Sequence, residues 1–384
     1  MKILHVINAY SPVFGCGPAD RCQKMASFLA GQGHSVTVFT SNHSWDSVYA
    51  ESTPDVEVVS FPYVGGRFCY TPSMSREIRK RIKEFDIVHL MNHWTYQNIA
   101  AFAAARKEGI PIVFSAMGAL PIVYRSFLIK RIYNYLFGYR ILRDADALIG
   151  ITSEECNQYI PYNPTGEKIH YLPNAIDGGE YFKDVPSGNF RGKFKIPKDK
   201  KVILFLGRLS HIKGPDLLLD GYIGKTELQS KAVLVFVGPD YDMEAFLKQK
   251  AMESGLDENI FFCGPLTGED KLEAYKDADV FVVPSRQENM SIVAVEACAL
   301  KTPVVITDVC GFDDIGKYNA GILVPVDAVQ IIDAVSRIVM DKSVSETMSE
   351  NAAGMVEMKY TWEKVGEKLE RILKDLMGLG IRFG

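Results

Sequence analysis

Short hydrophobic runs alternate with amphipathic segments along most of this chain. The runs predict buried β-strands over residues 2–8, 35–40, 56–61, 86–91, 111–115 and 146–151. Between them, apolar residues at helical spacing predict helices over residues 19–31, 74–84, 96–108 and 122–142. Regular alternation of strand and helix is typical of parallel sheets built from right-handed βαβ units. The first half of the chain is therefore predicted to form one α/β domain.

The same alternation starts again after residue 200. The second set of predicted strands covers residues 201–206, 232–237, 259–262, 279–283 and 303–306, and the second set of helices covers 214–224, 242–254, 268–276, 292–300 and 327–340. Glycines and prolines interrupt the pattern between the two sets. We therefore predict an N-terminal domain over 1–177, a linker over 178–200, a C-terminal domain over 201–358, and a last amphipathic helix within 359–384.

Length and charge narrow the class of protein. A chain of 384 residues is long enough for two hydrophobic cores. Its 43 basic and 47 acidic residues give a formal charge of −4, which argues against a general nucleic-acid binder, because such proteins rely on neutralising phosphates. The start of the chain lacks the long apolar region of a signal peptide, and no segment is apolar enough to span a membrane. We expect a cytoplasmic protein.

The cysteines predict neither disulfides nor a structural metal. All seven lie outside any Cys-x-x-Cys pair, and several stand in apolar helical or strand contexts, as reduced thiols do. No acidic triad follows a strand in the manner of a metal-dependent transferase. We predict no metal site and no cofactor.

Two cations stand at one predicted strand-to-helix corner. Arg208 follows the first strand of the second domain, and Lys213 lies just before the next helix, which has Pro215 in its first turn. Corners of this kind bind ligands in open α/β sheets, and a helix amino terminus adds free amides for an anion. A solvated loop is the alternative. The pair is interpreted as a diphosphate site, because guanidinium and ammonium groups both bind phosphate strongly.

A second corner carries two glutamates. Glu288 lies in the loop after a buried strand, and Glu296 lies two helical turns further on. Carboxylates accept hydrogen bonds from ribose and sugar hydroxyls, so the two corners together match a nucleotide-sugar. The alternative is a pair of surface carboxylates. Glu296, however, stands among Val293, Val295 and Ala297, where an unpaired charge is costly.

These motifs resemble a known family along nearly the whole chain. The strongest blocks are Val202–Leu209 with Lys213-Gly214, Pro284-Ser285 through Glu288 to Glu296-Ala297, and Thr302–Val305, and the weaker ones are Gly33–Val38, Asp86–His89 and Leu172–Asp177. They resemble the retaining GT-B glycosyltransferases of family four. The resemblance implies two Rossmann-like domains with doubly wound parallel sheets facing a central cleft, and a C-terminal helix that crosses back to the first domain.

The resemblance also assigns roles to residues of the second corner. Glu288 and the backbone amides of Asn289, Met290 and Ser291 would hold the transferred sugar and the diphosphate. Glu296 would accept hydrogen bonds from the ribose. Arg208 and Lys213 would stabilise the departing diphosphate, in place of a metal ion.

Loops of the first domain are the other candidates. Gly17, in the loop after the first strand, would let the backbone approach a phosphate, although the family has two adjacent glycines there and a simple turn is the alternative. His93 is a candidate acid–base group or a structural histidine. Two loops are expected to face the acceptor: Asn92–Trp94, and Ser115–Leu120, which contains Met117 and Gly118. The family often has histidine or arginine where this chain has Met117.

The resemblance implies transfer of a sugar from a nucleoside diphosphate sugar to an acceptor hydroxyl, with retention at the anomeric carbon. The acceptor is expected to be a saccharide or a lipid-linked sugar in surface polysaccharide or lipopolysaccharide assembly. An epimerase or phosphorylase of the same fold, and a non-catalytic GT-B partner protein that binds a nucleotide-sugar, are the alternatives. The complete set of Arg208, Lys213, Glu288 and Glu296 favours an enzyme.

One segment points to an anionic membrane surface as a further partner. Residues 124–143 carry five basic and no acidic residues, interleaved with aromatic ones. Such a helix can lie on a membrane with its basic groups at lipid phosphates, which would make the protein peripheral at the inner face. The alternative is a helix that packs on the first domain and leaves its basic residues in water.

Overall fold

The chain divides into two compact units. The computed structural model describes residues 1–11, 16–43, 45–65, 68–122 and 126–378. The first unit comprises Met1–Asn174 together with the C-terminal helix that begins at Trp362, and the second comprises Ala175–Thr361. Each unit has its own parallel sheet, as the strand–helix alternation predicts.

The first unit contains a seven-stranded sheet. Its strands are β1 (Lys2–Val6), β2 (Ser35–Ser41), β3 (Val56–Phe61), β4 (Ile87–Met91), β5 (Ile112–Ser115), β6 (Ala147–Gly150) and β7 (Ile169–Tyr171). They are ordered β3-β2-β1-β4-β5-β6-β7, and neighbouring strands are parallel. The chain order reverses between β1 and β4, and crevices for ligands form at such a switch point. The three-residue strand β7 lacks a hydrophobic run long enough to predict it.

Helices cover the faces of this sheet. They are α1 (Cys16–Gly31), α2 (Ser47–Glu51), α3 (Pro72–Arg81), α4 (Tyr96–Glu108), α5 (Phe127–Tyr133), α6 (Tyr139–Asp144) and α7 (Ser153–Tyr159). The helix predicted over 122–142 is confirmed from Phe127 onward, but a π-helical turn, Asn134–Gly138, separates α5 from α6. A Cβ atom at Gly138 would lie 2.3 Å from Asn134 Oδ1, so a larger residue here would displace the side chain of Asn134.

The second unit contains a six-stranded parallel sheet in the order β10-β9-β8-β11-β12-β13. Its strands are β8 (Lys201–Leu206), β9 (Ala232–Val237), β10 (Ile260–Phe262), β11 (Val280–Val283), β12 (Val304–Thr307) and β13 (Gly321–Val324). Its helices are α8 (Gly178–Tyr181), α9 (Asn189–Lys193), α10 (Pro215–Ile223), α11 (Thr226–Gln229), α12 (Glu244–Glu253), α13 (Gly268–Lys276), α14 (Ile292–Ala299), α15 (Asp314–Lys317), α16 (Ala328–Met340) and α17 (Lys342–Lys359). The switch point of this sheet lies between β8 and β11.

Residues 178–200, which the sequence predicts as a linker, are part of the second unit. They form α8 and α9, and Arg191 ties them to the sheet through a 3.0 Å ion pair with Asp279. The Arg191 amide also donates to Asp277. Three of the glycines that interrupt the sequence pattern, Gly178, Gly179 and Gly192, lie within these two short helices.

The last helix, α18 (Trp362–Leu376), belongs to the first unit. It packs against α1 so closely that a Cβ atom at Gly366 would lie 2.5 Å from the ring of Phe28. Its amphipathic pattern predicts this burial, because one face carries Val365, Leu369 and Leu373, all buried.

Candidate functional site

The two predicted corners of the second unit touch at the carboxyl ends of β8 and β11. Gly214 has φ +68°, and a Cβ atom there would lie 2.0 Å from the carbonyl oxygen of Pro284. A larger residue would therefore push the loop after β8 away from the loop after β11. Glycine at this position is what brings the cationic corner against the acidic one.

Lys213 and Glu288 meet at this contact. Lys213 Nζ lies 2.9 Å from Glu288 Oε1, and the Ser285 hydroxyl donates to Glu288 Oε2 over 3.2 Å. Both charged side chains are partly exposed. The predicted phosphate-binding cation and the predicted sugar-binding carboxylate are thus neighbours that a ligand can reach.

Arg208 stands near the start of the loop after β8, five residues before Lys213. Its guanidinium carbon lies 5.2 Å from the ring centre of Tyr241, and both side chains are exposed. Backbone bonds from Leu209 to Pro239 and from Tyr241 to Leu209 join the two loops. The aromatic ring supports the guanidinium without using its N–H donors, so these can still bind an anion.

A pair that the sequence analysis missed fixes the loop carrying Lys213. Arg286 donates to both carboxylate oxygens of Asp216, over 2.8 and 2.6 Å, and to the carbonyl of His211 over 2.6 Å. Its amide donates to the carbonyl of Ile212. Although burial alone raises the pKa of Asp216, the bonds from Arg286 lower it below the ordinary value. A bidentate pair of this kind holds the two loops in register.

Glu296 is buried and accepts three side-chain hydrogen bonds. Its exposed fraction is 7%, so the alternative of a surface carboxylate is wrong. Tyr181 and Lys271 donate to Oε1 over 2.7 and 2.8 Å, and Tyr275 donates to Oε2 over 2.9 Å. Burial, and then the charge of Glu296, raise the pKa of Tyr275 well above its ordinary value.

The carboxylate of Glu296 is therefore fixed in orientation before any ligand binds. It offers about four lone-pair sites, three of which are used. The sequence analysis missed all three donors. Tyr181 stands in the segment predicted as a linker, so no local signal connects it with Glu296.

Residues 289–291 differ in what they can offer a ligand. The amide of Ser291 donates to the carbonyl of Cys310 over 3.3 Å, so it is engaged within the protein, contrary to the predicted role. Its hydroxyl is buried and has no hydrogen-bond partner within the described residues. Asn289 is exposed, whereas the side chain of Met290 is buried. An unsatisfied buried hydroxyl at the start of α14 favours a bound polar group there.

In the first unit, His93 is a poor acid–base group. It is buried, and its Nε2 atom lies 2.9 Å from Asn134 Oδ1 in the π-helical turn. Burial lowers the pKa of His93 to about 4, which keeps the ring neutral at pH 7. These observations favour the structural alternative over the catalytic role.

Met117 and Gly118 lie in one strained loop after β5. Their φ angles are 53° and 77°, both in the left-handed region. The indole N–H of Trp94 donates to the carbonyl of Ala119, which joins this loop to the one after β4. The structure therefore brings the two predicted acceptor loops together.

Gly17 lies in the first turn of α1 and is exposed. A Cβ atom there would have no atom within 4 Å among the described residues. Gly15, the other glycine of this predicted loop, lies outside the described residues, as do Pro12, Val13 and Phe14.

Among the residues that the structure describes, no group of three or more histidine, cysteine, aspartate or glutamate side chains is placed to hold a metal ion. None of the helices described is both long and apolar enough to cross a membrane.

Comparison with known proteins identifies related chains over both units. The family described as "Glycosyl transferases group 1" matches residues 187–375, and "Glycosyltransferase Family 4" matches residues 17–178. An uncharacterized glycosyltransferase from Methanocaldococcus jannaschii is 28% identical over 98% of this chain and 99% of its own length. The D-inositol 3-phosphate glycosyltransferase of Mycobacteroides abscessus is 27% identical, over 89% of this chain and 80% of its own.

A solved structure supports the same fold. The Anabaena protein HepE in complex with UDP superimposes with a TM-score of 0.79 at 18% identity, covering 98% of this chain and all of the other. At that identity the likeness concerns the fold alone.

Proposed function

Because this chain belongs to the GT-B glycosyltransferases of family four, we propose that it transfers a sugar from a nucleoside diphosphate sugar to an acceptor hydroxyl with retention at the anomeric carbon. The contact between Lys213 and Glu288 at the switch point of the second sheet carries the proposal. It sets a phosphate-binding cation beside a carboxylate that suits sugar hydroxyls. Solved relatives of the fold are described in complex with UDP and with UDP-glucose, which supports a donor of this class.

Negative charge gathers on the departing diphosphate in such a reaction, and the ammonium of Lys213 and the guanidinium of Arg208 would stabilise it. Before the donor binds, Glu288 neutralises Lys213 and keeps it in place. A bound diphosphate would replace Glu288 as the partner of Lys213. Glu288 would then be free to accept hydrogen bonds from hydroxyls of the transferred sugar. Glu296, held by three donors, would accept from the ribose.

The acceptor proposed is a lipid-linked or saccharide hydroxyl in the assembly of a surface polysaccharide or lipopolysaccharide. An exposed apolar face on the first unit supports the lipid-linked form. On and around α5, the exposed fractions of Leu128, Ile129 and Tyr135 are 69%, 68% and 81%, and Phe127, Ile132 and Leu136 are also exposed. The core uses few apolar residues of this segment, which argues against a helix simply packed on the domain. A large exposed apolar patch marks an interaction surface.

Charge at this face is more limited than the sequence suggests. Arg140 and Arg143 both pair with Asp144, at 3.5 and 3.0 Å. Lys130 lies over the ring of Trp94, and Arg131 lies over the ring of Phe127. Arg125 and Tyr124 lie outside the described residues. Burial of apolar side chains would therefore supply most of the affinity for a membrane, and Lys130 and Arg131 would add a preference for anionic lipid.

The face adjoins the predicted acceptor loops. Lys130 lies over Trp94, whose indole holds Ala119, and Asn134 contacts His93. A bilayer seated on α5 would lie close to these loops and could present a membrane-anchored hydroxyl to them.

A panel of nucleoside diphosphate sugars, incubated with octyl glycosides as acceptor probes, tests the proposal. We expect transfer from one donor, with the anomeric configuration of the product equal to that of the donor by NMR. Inversion would overturn the retaining mechanism. Epimerised donor without transfer, or phosphate-dependent release of a sugar phosphate, would favour the epimerase or the phosphorylase. Donor binding without any turnover would favour a non-catalytic partner protein.

A further inference from the structure

The loop after β5 makes a tight turn, in which the amide of Ala119 donates to the carbonyl of Ala116 over 3.0 Å. Two successive residues, Met117 and Gly118, are left-handed, and for a methionine this costs roughly 1–2 kcal/mol. Strained backbone of this kind persists only where the surroundings over-determine it, and it clusters at functional sites.

A buried carboxylate supplies one of the restraints. Glu155, in the first turn of α7, accepts from the amide of Gly118 through Oε1 over 2.6 Å. Its other oxygen, Oε2, accepts from the amide of Ile151 over 2.7 Å, at the end of β6. One side chain therefore ties the left-handed loop to the neighbouring strand of the sheet.

The local sequence predicts a different use for this glutamate. Thr152 and Glu155 have the spacing of a capping box, in which the glutamate bonds back to the amide of the capping residue. Half of that motif is present, because the Thr152 hydroxyl accepts from the Glu155 amide over 3.0 Å. The carboxylate instead reaches out of α7 to the loop after β5.

A second residue of α7 restrains the same loop. The Tyr159 hydroxyl accepts from the amide of Ala116 over 2.9 Å and donates to the carbonyl of Ile149. The indole of Trp94 also donates to the carbonyl of Ala119. Side chains from outside the loop therefore hydrogen-bond three of the four residues 116–119.

This arrangement is costly to the fold. Glu155 is buried, and burial raises its pKa, although the two amide bonds and the charge of Arg21 oppose the rise. A buried carboxylate costs free energy that its hydrogen bonds only partly offset, and apolar side chains of similar volume often stabilise a domain as well or better. Its one contact with the strained loop is at Gly118.

We propose that Glu155 is a positioning residue for the acceptor: its carboxylate holds the left-handed turn at Met117 and Gly118, so that the partly exposed Gly118 faces the sugar-accepting molecule while the side chain of Met117 stays buried. The proposal rests on the proposed function, since it assigns the loop after β5 to the acceptor. It places no group of Glu155 on the reacting atoms.

The test compares Glu155→Gln with Glu154→Gln. Glu154 is the neighbour of Glu155 in the same turn of α7 and is exposed, so it is a matched control. Glutamine keeps the size but turns one acceptor oxygen into a donor, which cannot bond an amide N–H. With the donor and the octyl glycoside chosen by the panel, we expect kcat/KM for the acceptor to fall about tenfold or more in Glu155→Gln. Donor binding and acceptor-independent donor hydrolysis should stay within about twofold.

Amide hydrogen exchange gives a readout that needs no activity. Exchange across residues 116–120 should quicken in Glu155→Gln and stay unchanged in Glu154→Gln. Should Glu155→Gln fail to fold, Tyr159→Phe, which loses only a hydroxyl, takes its place with the same expectations.

Acceptor kinetics equal to those of the wild type would overturn this proposal, and so would an equal loss of donor binding, which would indicate general damage. Absence of transfer by the wild-type protein would instead overturn the proposed function itself.

Discussion

Lys213 and Glu288 form a 2.9 Å ion pair across the switch point of the second sheet, although they stand 75 positions apart in the sequence. Each would otherwise attract a ligand of opposite charge. The pair holds a cation and a carboxylate in place at little electrostatic cost, because each neutralises the other. It also makes the roles of the two residues separable by mutation.

Replacing the cations should slow turnover. We expect Lys213→Ala and Arg208→Ala each to lower kcat about 100-fold, because each loses a charge-assisted contact that strengthens as the diphosphate departs. Steady-state kinetics measure the effect, and Lys342→Ala, at an exposed position of α17, is the control. Rates near wild type in both site variants would remove the diphosphate role.

Replacing Glu288 should act differently from replacing Lys213. In Glu288→Gln the lysine loses its anionic partner and becomes a freer phosphate ligand. We therefore expect kcat to fall while the KM for the donor stays level or falls. A rise in donor KM with kcat unchanged would show that Glu288 serves ground-state binding alone.

Glu296→Gln should mainly weaken donor binding. Ribose contacts are the same in the ground and transition states, so saturating donor should restore most of kcat. Isothermal titration with the donor measures the loss of affinity, and Glu253→Gln in exposed α12 is the control. If saturating donor fails to restore turnover, Glu296 acts in the chemical step.

The apolar face should bind membranes. Liposome flotation should recover the wild type with anionic vesicles, and the variant Leu128→Ser/Ile129→Ser/Tyr135→Ser should bind at least tenfold more weakly, because burying such side chains contributes roughly 1.5–3 kcal/mol each. Met252→Ser/Val329→Ser/Met358→Ser, at exposed apolar positions of the second unit, is the matched control. Equal binding by both triple variants, or none by the wild type, would contradict a membrane surface at α5.

Three buried histidines should make the fold acid-sensitive. Burial lowers the pKa of His5 and of His93 to about 4, and burial followed by the charges of His5 and Arg21 lowers that of His89 well below its ordinary value. Lys130 acts on His93 in the same direction. Below pH 6.5 the unfolded chain binds protons that the folded one does not, so stability present above that pH is lost as pH falls toward 4.

The slope of the free energy of unfolding against pH measures this effect. Each histidine contributes up to about 1.4 kcal/mol per pH unit. Urea unfolding at pH 7.5, 6 and 5 should show a steep decline that His5→Gln makes shallower. A free energy of unfolding that stays level from pH 7.5 to 5 would show that these rings are protonated in the folded state.

Local sequence was enough to predict the alternating elements and the two corners that carry Arg208, Lys213, Glu288 and Glu296. Strand ends and helix starts depend on neighbouring residues, through hydrophobic spacing and the preference of proline and glycine for particular turns. The same reasoning fails where side chains distant in the sequence determine the backbone geometry. The helix predicted over 122–142 is interrupted at Asn134–Gly138, where the turn widens and Asn134 bonds to His93.

The sequence by itself determined the fold class, the family and the residues that could bind a nucleotide-sugar. Only the tertiary structure decided which of these side chains are held in one orientation and which are buried away from a ligand. Tyr181 reaches Glu296 across 115 residues of sequence, and His93 is withdrawn into the core. Hydrophobic periodicity predicts which face of a helix or strand is buried. It does not predict which side chains of other elements that face contacts. The partners of a buried charge are therefore set by how whole elements pack, and no local pattern contains them.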